Sequence, residues 1–81
     1  MRVRIRLFAR LRDIVGSAEV ERDVRGEATL GGVWTALSTE FDALQPYTAS
    51  ISGAVNGEYA RMDARVKDGD EVAFLPPVSG G

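Results

Sequence analysis

The run Glu71-Val72-Ala73-Phe74-Leu75-Pro76-Pro77-Val78-Ser79-Gly80-Gly81, "EVAFLPPVSGG", decides how this chain is read. Its first residues alternate. Val72 and Phe74 fall on one side, Ala73 and Leu75 on the other, which is the period of a strand with one buried face. Two prolines follow at once. Each fixes φ and lacks an N–H, so the ladder stops there and the chain leaves as a stiff, extended segment. A frayed terminus needs no such mounting. From Pro76 to Gly81 the tail reaches at most ~20 Å, at about 3.3–3.6 Å per residue. Gly80 and Gly81 carry no Cβ, so they pass a narrow channel and let another molecule approach the last carbonyl closely.

A terminal strand with a buried face needs neighbours, and the N-terminus supplies one. In "MRVRIRL" Val3, Ile5 and Leu7 point one way and Arg2, Arg4 and Arg6 the other. "FARLRDIVG" follows, with Leu11, Ile14 and Val15 at helical spacing and Gly16 as a C-terminal stop. Ala18 to Val24 alternates again. Ala18, Val20 and Val24 share one face with Arg22, which marks an edge strand where a long charged side chain reaches water. Glu19, Glu21 and Asp23 share the other. Antiparallel pairing with the first strand would set these three acids against the three arginines.

Thr29 is placed to cap a helix. Leu30, Val33, Trp34, Leu37 and Phe41 then form the clearest helical stripe in the chain. Gly31 and Gly32 weaken its first turn, and Pro46 is expected to end any continuation. Ile51 to Val55 reads as a third strand. Asn56-Gly57 reads as a two-residue type I′ hairpin turn, with Glu58-Tyr59-Ala60 returning. Asp68-Gly69 marks a turn into the last strand. One main helix over one mixed sheet, with the first and last strands parallel at its centre, is an α+β, β-grasp (ubiquitin-like) fold. It predicts a domain over residues 1–75 and a tail over 76–81. The expected core is Val3, Ile5, Leu7, Val33, Trp34, Leu37, Phe41, Val55, Val72 and Phe74.

Composition narrows the function. The chain has 81 residues, a net charge of −2 and 44% hydrophobic residues, so it is one small globular domain with no overall drive toward nucleic acid or an anionic membrane. No apolar run is long enough to span a membrane, and the Arg-interleaved N-terminus has no signal-peptide core, so a cytoplasmic location is expected. Cys and His are both absent. This excludes thiol nucleophiles, imidazole bases and Cys/His zinc sites, and there is no phosphate-binding GxxxxGK[ST] loop. The chain is poorly equipped to catalyse anything alone, and no bound cofactor or metal is expected. Asp68-Gly69-Asp70-Glu71 offers too few ligands for a cation and reads as a solvated turn. The arginine stripe reads first as a charge-paired sheet face and second as a partner contact. Trp34 reads as core.

"LFARLRDIVG", "AVNGEYA" and "DGDEVAFLPPVSGG" together resemble the small subunit of molybdopterin synthase, the MoaD-type sulfur carrier (molybdopterin converting factor subunit 1), over the whole chain. The resemblance implies a mechanism. The Gly81 carboxylate is adenylated by an E1-like (MoeB-type) enzyme that uses ATP with magnesium, then converted to a thiocarboxylate with sulfur from a donor such as a cysteine desulfurase. The tail, Pro76, Pro77, Val78, Ser79, Gly80 and Gly81, enters a large (MoaE-type) subunit. It delivers sulfur there to precursor Z, and two transfers make the molybdopterin dithiolene within a heterotetramer. The residues suit that role independently. A free α-carboxylate is an anion and a poor electrophile at neutral pH, so exchanging its oxygen for sulfur requires activation by a partner. Strand parity adds a docking surface. Phe8, Tyr59 and Leu75 should face outward near the root of the tail, as an exposed apolar patch suited to a protein partner. Three other readings stay open: a related carrier for thiamine synthesis or tRNA thiolation, a ubiquitin-like modifier joined to lysines through Gly81, and a plain β-grasp binding module.

Overall fold

The computed structural model of the chain describes residues 1–25 and 28–77. In β1 (Arg2–Leu7) every second residue is buried, beginning with Val3, as the alternation requires. The chain then enters α1 (Ala9–Val15), which stops at Gly16, whose φ of 85° suits a left-handed C-cap. Strand β2 (Glu19–Asp23) returns antiparallel along β1, pairing Arg2 with Asp23, Arg4 with Glu21 and Arg6 with Glu19. The acids therefore stand opposite the arginines; the Arg2–Asp23 ion pair is direct, whereas Arg2–Glu21 and Arg6–Glu71 run diagonally. Arg2 reaches both Glu21 and Asp23, while Arg6 turns to Glu71 on the other flank at 3.7 Å. These partners are solvated, so each pair contributes at most about 1 kcal/mol. Ala18, expected on the buried face, is exposed because it precedes the strand.

Thr29 caps α2 (Leu30–Glu40) as predicted, its hydroxyl accepting the Gly32 N–H at 3.0 Å. The next two free helix donors are taken by a loop. Leu30 N–H donates to the Ala64 carbonyl and Gly31 N–H to the Met62 carbonyl. Gly31 has a reason for lacking a side chain, since a Cβ there would stand 3.1 Å from the Met62 carbonyl oxygen. This loop is bracketed by a small second sheet that the sequence reading missed, β3 (Ala28–Thr29) against β6 (Arg65–Val66).

The end of α2 differs from expectation. Extended backbone at Phe41 stops the helix, and Pro46 lies inside a following 3-10 segment, Asp42–Tyr47. A short 3-10 turn tolerates a residue without an N–H better than an α-helix interior does, so Pro46 is no barrier here.

Strand β4 (Ser52–Val55) and β5 (Glu58–Ala60) form the predicted hairpin, and both turn residues have positive φ, Asn56 at 50° and Gly57 at 85°. Strand β7 (Glu71–Leu75) completes a sheet in the order β2-β1-β7-β4-β5, with β7 parallel to β1 and antiparallel to β4. This is the β-grasp arrangement, with α2 across one face.

The core holds Val3, Ile5, Leu7, Val33, Trp34, Leu37, Val72 and Phe74, as expected, and adds Leu11, Leu30, Leu44, Ala28 and Val66. Phe41 and Val55 were expected there and are only half-buried. Phe41 lies where the helix has already unwound, and Val55 abuts the hairpin turn, so each has water on one side. At the centre Trp34 meets Phe74 edge to face, with ring centroids 5.0 Å apart, an arrangement worth about 0.5–1.5 kcal/mol beyond area burial. The helix thus rests directly on the strand that carries the tail.

Candidate functional site

The tail is rooted in the middle of the sheet. β7 has a hydrogen-bonded neighbour on each side, so its C-terminal end is fixed from both flanks. Leu75, the last strand residue, pairs with Ser52. Pro76 is half-buried against the body and Pro77 is exposed. Missing donors at these positions end the ladder cleanly. Val78, Ser79, Gly80 and Gly81 lie outside the described residues.

On the sheet face opposite α2 the three residues expected to form one apolar patch are split, with Phe8 and Leu75 adjacent and Tyr59 apart. Phe8 has φ −126° and ψ 153°, so strand parity runs one step past Leu7 and the side chain points outward. Leu7 pairs with Phe74 in the parallel ladder, which sets Phe8 beside half-buried Leu75. Tyr59 pairs with Ala54, as the two-residue turn requires, and is 79% exposed. It is not in the same cluster as Phe8. Tyr59 stands on β5, three strands from β1, or roughly 14 Å at the usual strand spacing. The row that holds Tyr59 runs through Ala54 and Ala73 to Arg6, and Phe8 and Leu75 lie two residues further along their strands. Small residues, buried Ala54 and half-buried Ala73, therefore separate exposed Tyr59 from the Arg6, Phe8 and Leu75 side of this face.

Arg6 belongs to this surface and was missed as a member of it. Its guanidinium lies 5.6 Å from the centre of the Phe8 ring while leaning toward Glu71. Spacing of two residues from Phe8 on one strand was the available signal. It was obscured because the stripe reads equally well as three alike arginines.

The acidic turn behind the root is structural. Arg2 N–H donates to the Asp68 carboxylate, and Lys67 N–H and the Asn56 side-chain amide donate to Asp70. These donors, the Lys67 N–H first, hold the Asp70 carboxyl below its ordinary range. Among the described residues no group of three or more acidic side chains could hold a metal ion. A depression lined by Ile5, Val24, Val33 and Leu37 lies on the helix side, bordered by Arg22 and Glu40. The Arg22 guanidinium bonds both Glu40 oxygens, at 2.8 and 2.9 Å, so the expected snorkelling arginine is anchored to α2. That pair keeps the Glu40 carboxyl lowered. No described helix is long and apolar enough to cross a membrane.

A β-grasp body whose central strand runs out into Pro76 and Pro77 defines the ubiquitin-like class. The chain belongs, within it, to the ThiS family, whose model matches residues 5–81. It is 38% identical to small archaeal modifier protein 1 of Haloferax volcanii, over 94% of this chain and 97% of that one. It is 36% identical to the molybdopterin synthase sulfur carrier subunit of Escherichia coli, over 98% and 99% of the two chains. In structure it matches the putative molybdopterin converting factor subunit 1 of Pyrococcus furiosus with a TM-score of 0.85 at 29% identity, over 96% of this chain and 99% of that one.

Proposed function

We propose that the chain is the sulfur carrier subunit of molybdopterin synthase, and that the working atom is the terminal carbonyl carbon of Gly81. The whole-length likeness to a relative bearing that name carries the reading. The chemistry follows from the tail. The Gly81 carboxylate attacks the α-phosphate of magnesium ATP in an E1-like enzyme, giving an acyl-adenylate and pyrophosphate. The outer sulfur of a persulfide, such as that of a cysteine desulfurase, displaces AMP to give an acyl disulfide. A second thiol then cleaves its S–S bond, releasing the thiocarboxylate and leaving a disulfide. In the large subunit the thiocarboxylate sulfur forms a C–S bond to a side-chain carbon of precursor Z as an oxygen substituent leaves that carbon. Hydrolysis frees the sulfur into the product and restores the carboxylate. Two rounds make the dithiolene. The chain itself binds no cofactor or metal and acts in the cytoplasm, away from nucleic acid and membrane, as a donor subunit rather than an enzyme on its own.

In this reading the body orients and the tail delivers. Pro76 and Pro77 aim the last residues away from the sheet, and the surface of Phe8, Leu75, Arg6 and Tyr59 packs on the large subunit. A second reading is supported by the modifier relative at 38% identity. In it the same acyl-adenylate is captured by a lysine amine, forming an isopeptide bond. Intact mass separates the two after incubation with the activating enzyme, ATP and a sulfur donor. One O→S exchange on the C-terminal fragment supports the carrier. Adducts joined through Gly81 to lysines, without that exchange, support the modifier.

A further inference from the structure

The passage from β1 into α1 turns on one residue, and it is not a glycine. Ala9 has φ 51°, in the left-handed region that L side chains rarely adopt. Asn56 shares this feature, but it sits in a hairpin turn that demands it and has the short polar side chain that tolerates it. Ala9 has neither. It is exposed, so no packing of its own methyl group compels the conformation.

The neighbours explain it. Leu7 and Leu11 are both fully buried, and only three residues separate them. The chain must leave a strand and enter a helix within that span without losing either leucine from the core. A reversal at Ala9 does this while Phe8 stays extended. The Phe8 carbonyl then receives the Leu11 and Arg12 N–H groups, at 3.1 and 3.4 Å. Its ring lands on the outer sheet face under the Arg6 guanidinium. With Phe8 extended, ordinary helical backbone at position 9 would redirect α1 and lift Leu11 from the core. Keeping both leucines buried would then require Phe8 itself to leave the extended conformation and its ring the outer face. Backbone strain of this kind persists only where surrounding structure over-determines it, and it concentrates at functional sites.

We propose that Ala9 is a positioning residue for the docking face: its left-handed backbone holds Phe8 on the outer sheet surface, beside the root of the tail, where the partner subunit packs. This rests on the docking role given to Phe8 above. Position 9 should accept residues in order of their tolerance for positive φ. Gly and Asn should preserve affinity for the large subunit to within about threefold, and Val should lower it by about tenfold or more.

The test is a cycle of Ala9→Val and Phe8→Ala, alone and combined, titrated against the purified molybdopterin synthase large subunit. Trp34 fluorescence reports that each variant is folded. If Ala9 acts through Phe8, Val at position 9 costs affinity in the parent and nothing further in the Phe8→Ala background. The nuclear Overhauser contact between the Phe8 ring and the Arg6 side chain should also vanish in Ala9→Val and survive in Ala9→Gly. If Ala9→Val does not fold, Ala9→Ser takes its place in the cycle, with a smaller loss of the same pattern. Equal losses in both backgrounds, or parent-like affinity of Ala9→Val while Phe8→Ala binds weakly, overturn the positioning role. Parent-like affinity of Phe8→Ala instead overturns the docking reading, and this proposal with it.

Discussion

Replacing Gly53 with alanine should destabilise the domain, although alanine is the better residue for most backbone. Gly53 lies on β4, opposite Phe74, and faces α2. A Cβ built there stands 2.5 Å from Leu30 Cδ2 and 3.1 Å from both Leu30 Cγ and Met62 Cε. Met62 is only half-buried and has room to swing, but Leu30 is fully buried at the start of α2. Overpacking of this kind costs about 1–3 kcal/mol. Loss of unfolded-state freedom on going from Gly to Ala returns about 0.4–1 kcal/mol. The net expectation is a loss of about 1–2 kcal/mol, or roughly 4–16 °C in Tm for a domain of this size. Thermal unfolding followed by circular dichroism or Trp34 fluorescence measures it. Leu30→Val removes the clashing carbon, so in that background the added methyl group should cost less than in the parent. An unchanged or higher Tm for Gly53→Ala in the parent would refute the close approach of β4 to α2.

Three further outcomes follow from the same geometry. Thr48→Val removes the acceptor for the Trp34 indole N–H, 3.0 Å away, and should lower stability by about 1–2 kcal/mol with a shifted Trp34 emission. Asp70→Ala should show a pH signature in its Tm difference from the parent. The folded Asp70 pKa is depressed, so its contribution is full above the ordinary carboxylate range, about 4, and is lost as pH falls through the lower folded value. The difference should be constant near neutrality and shrink in acid, and growth in acid would contradict the assignment. Tyr59→Ala should leave Tm almost unchanged, since the side chain is 79% exposed, yet weaken binding to the large subunit by about fivefold or more in a calorimetric titration.

What the sequence made legible has a physical pattern. Strict alternation in β1 and β7, the Thr29 cap and the Asn56-Gly57 turn each express a local rule with one solution, and each appears as read. The paired Ala54 and Tyr59 followed from the turn length alone. Hidden features depend on distant partners. Strands β3 and β6 are two residues each, too short to show a period, and exist because the loop before β6 caps α2. Leu44 is fully buried from a 3-10 segment whose proline suggested a plain loop. The outward-facing residues of the sheet were legible one by one, but not that Tyr59 stands apart from Phe8 and Leu75. The row Arg6-Ala73-Ala54-Tyr59 emerges only once four strands are set side by side.

The central claim is that sulfur travels on the last carbonyl of a tail held out from the sheet. The most direct measurement is dithiolene formation from precursor Z by the large subunit in single turnover, supplied with the chain as thiocarboxylate, as free carboxylate, or shortened by Gly80 and Gly81. Product from the thiocarboxylate alone, in amount proportional to the carrier added, is the predicted result. Equal product from the shortened chain, or none from the thiocarboxylate, would contradict it.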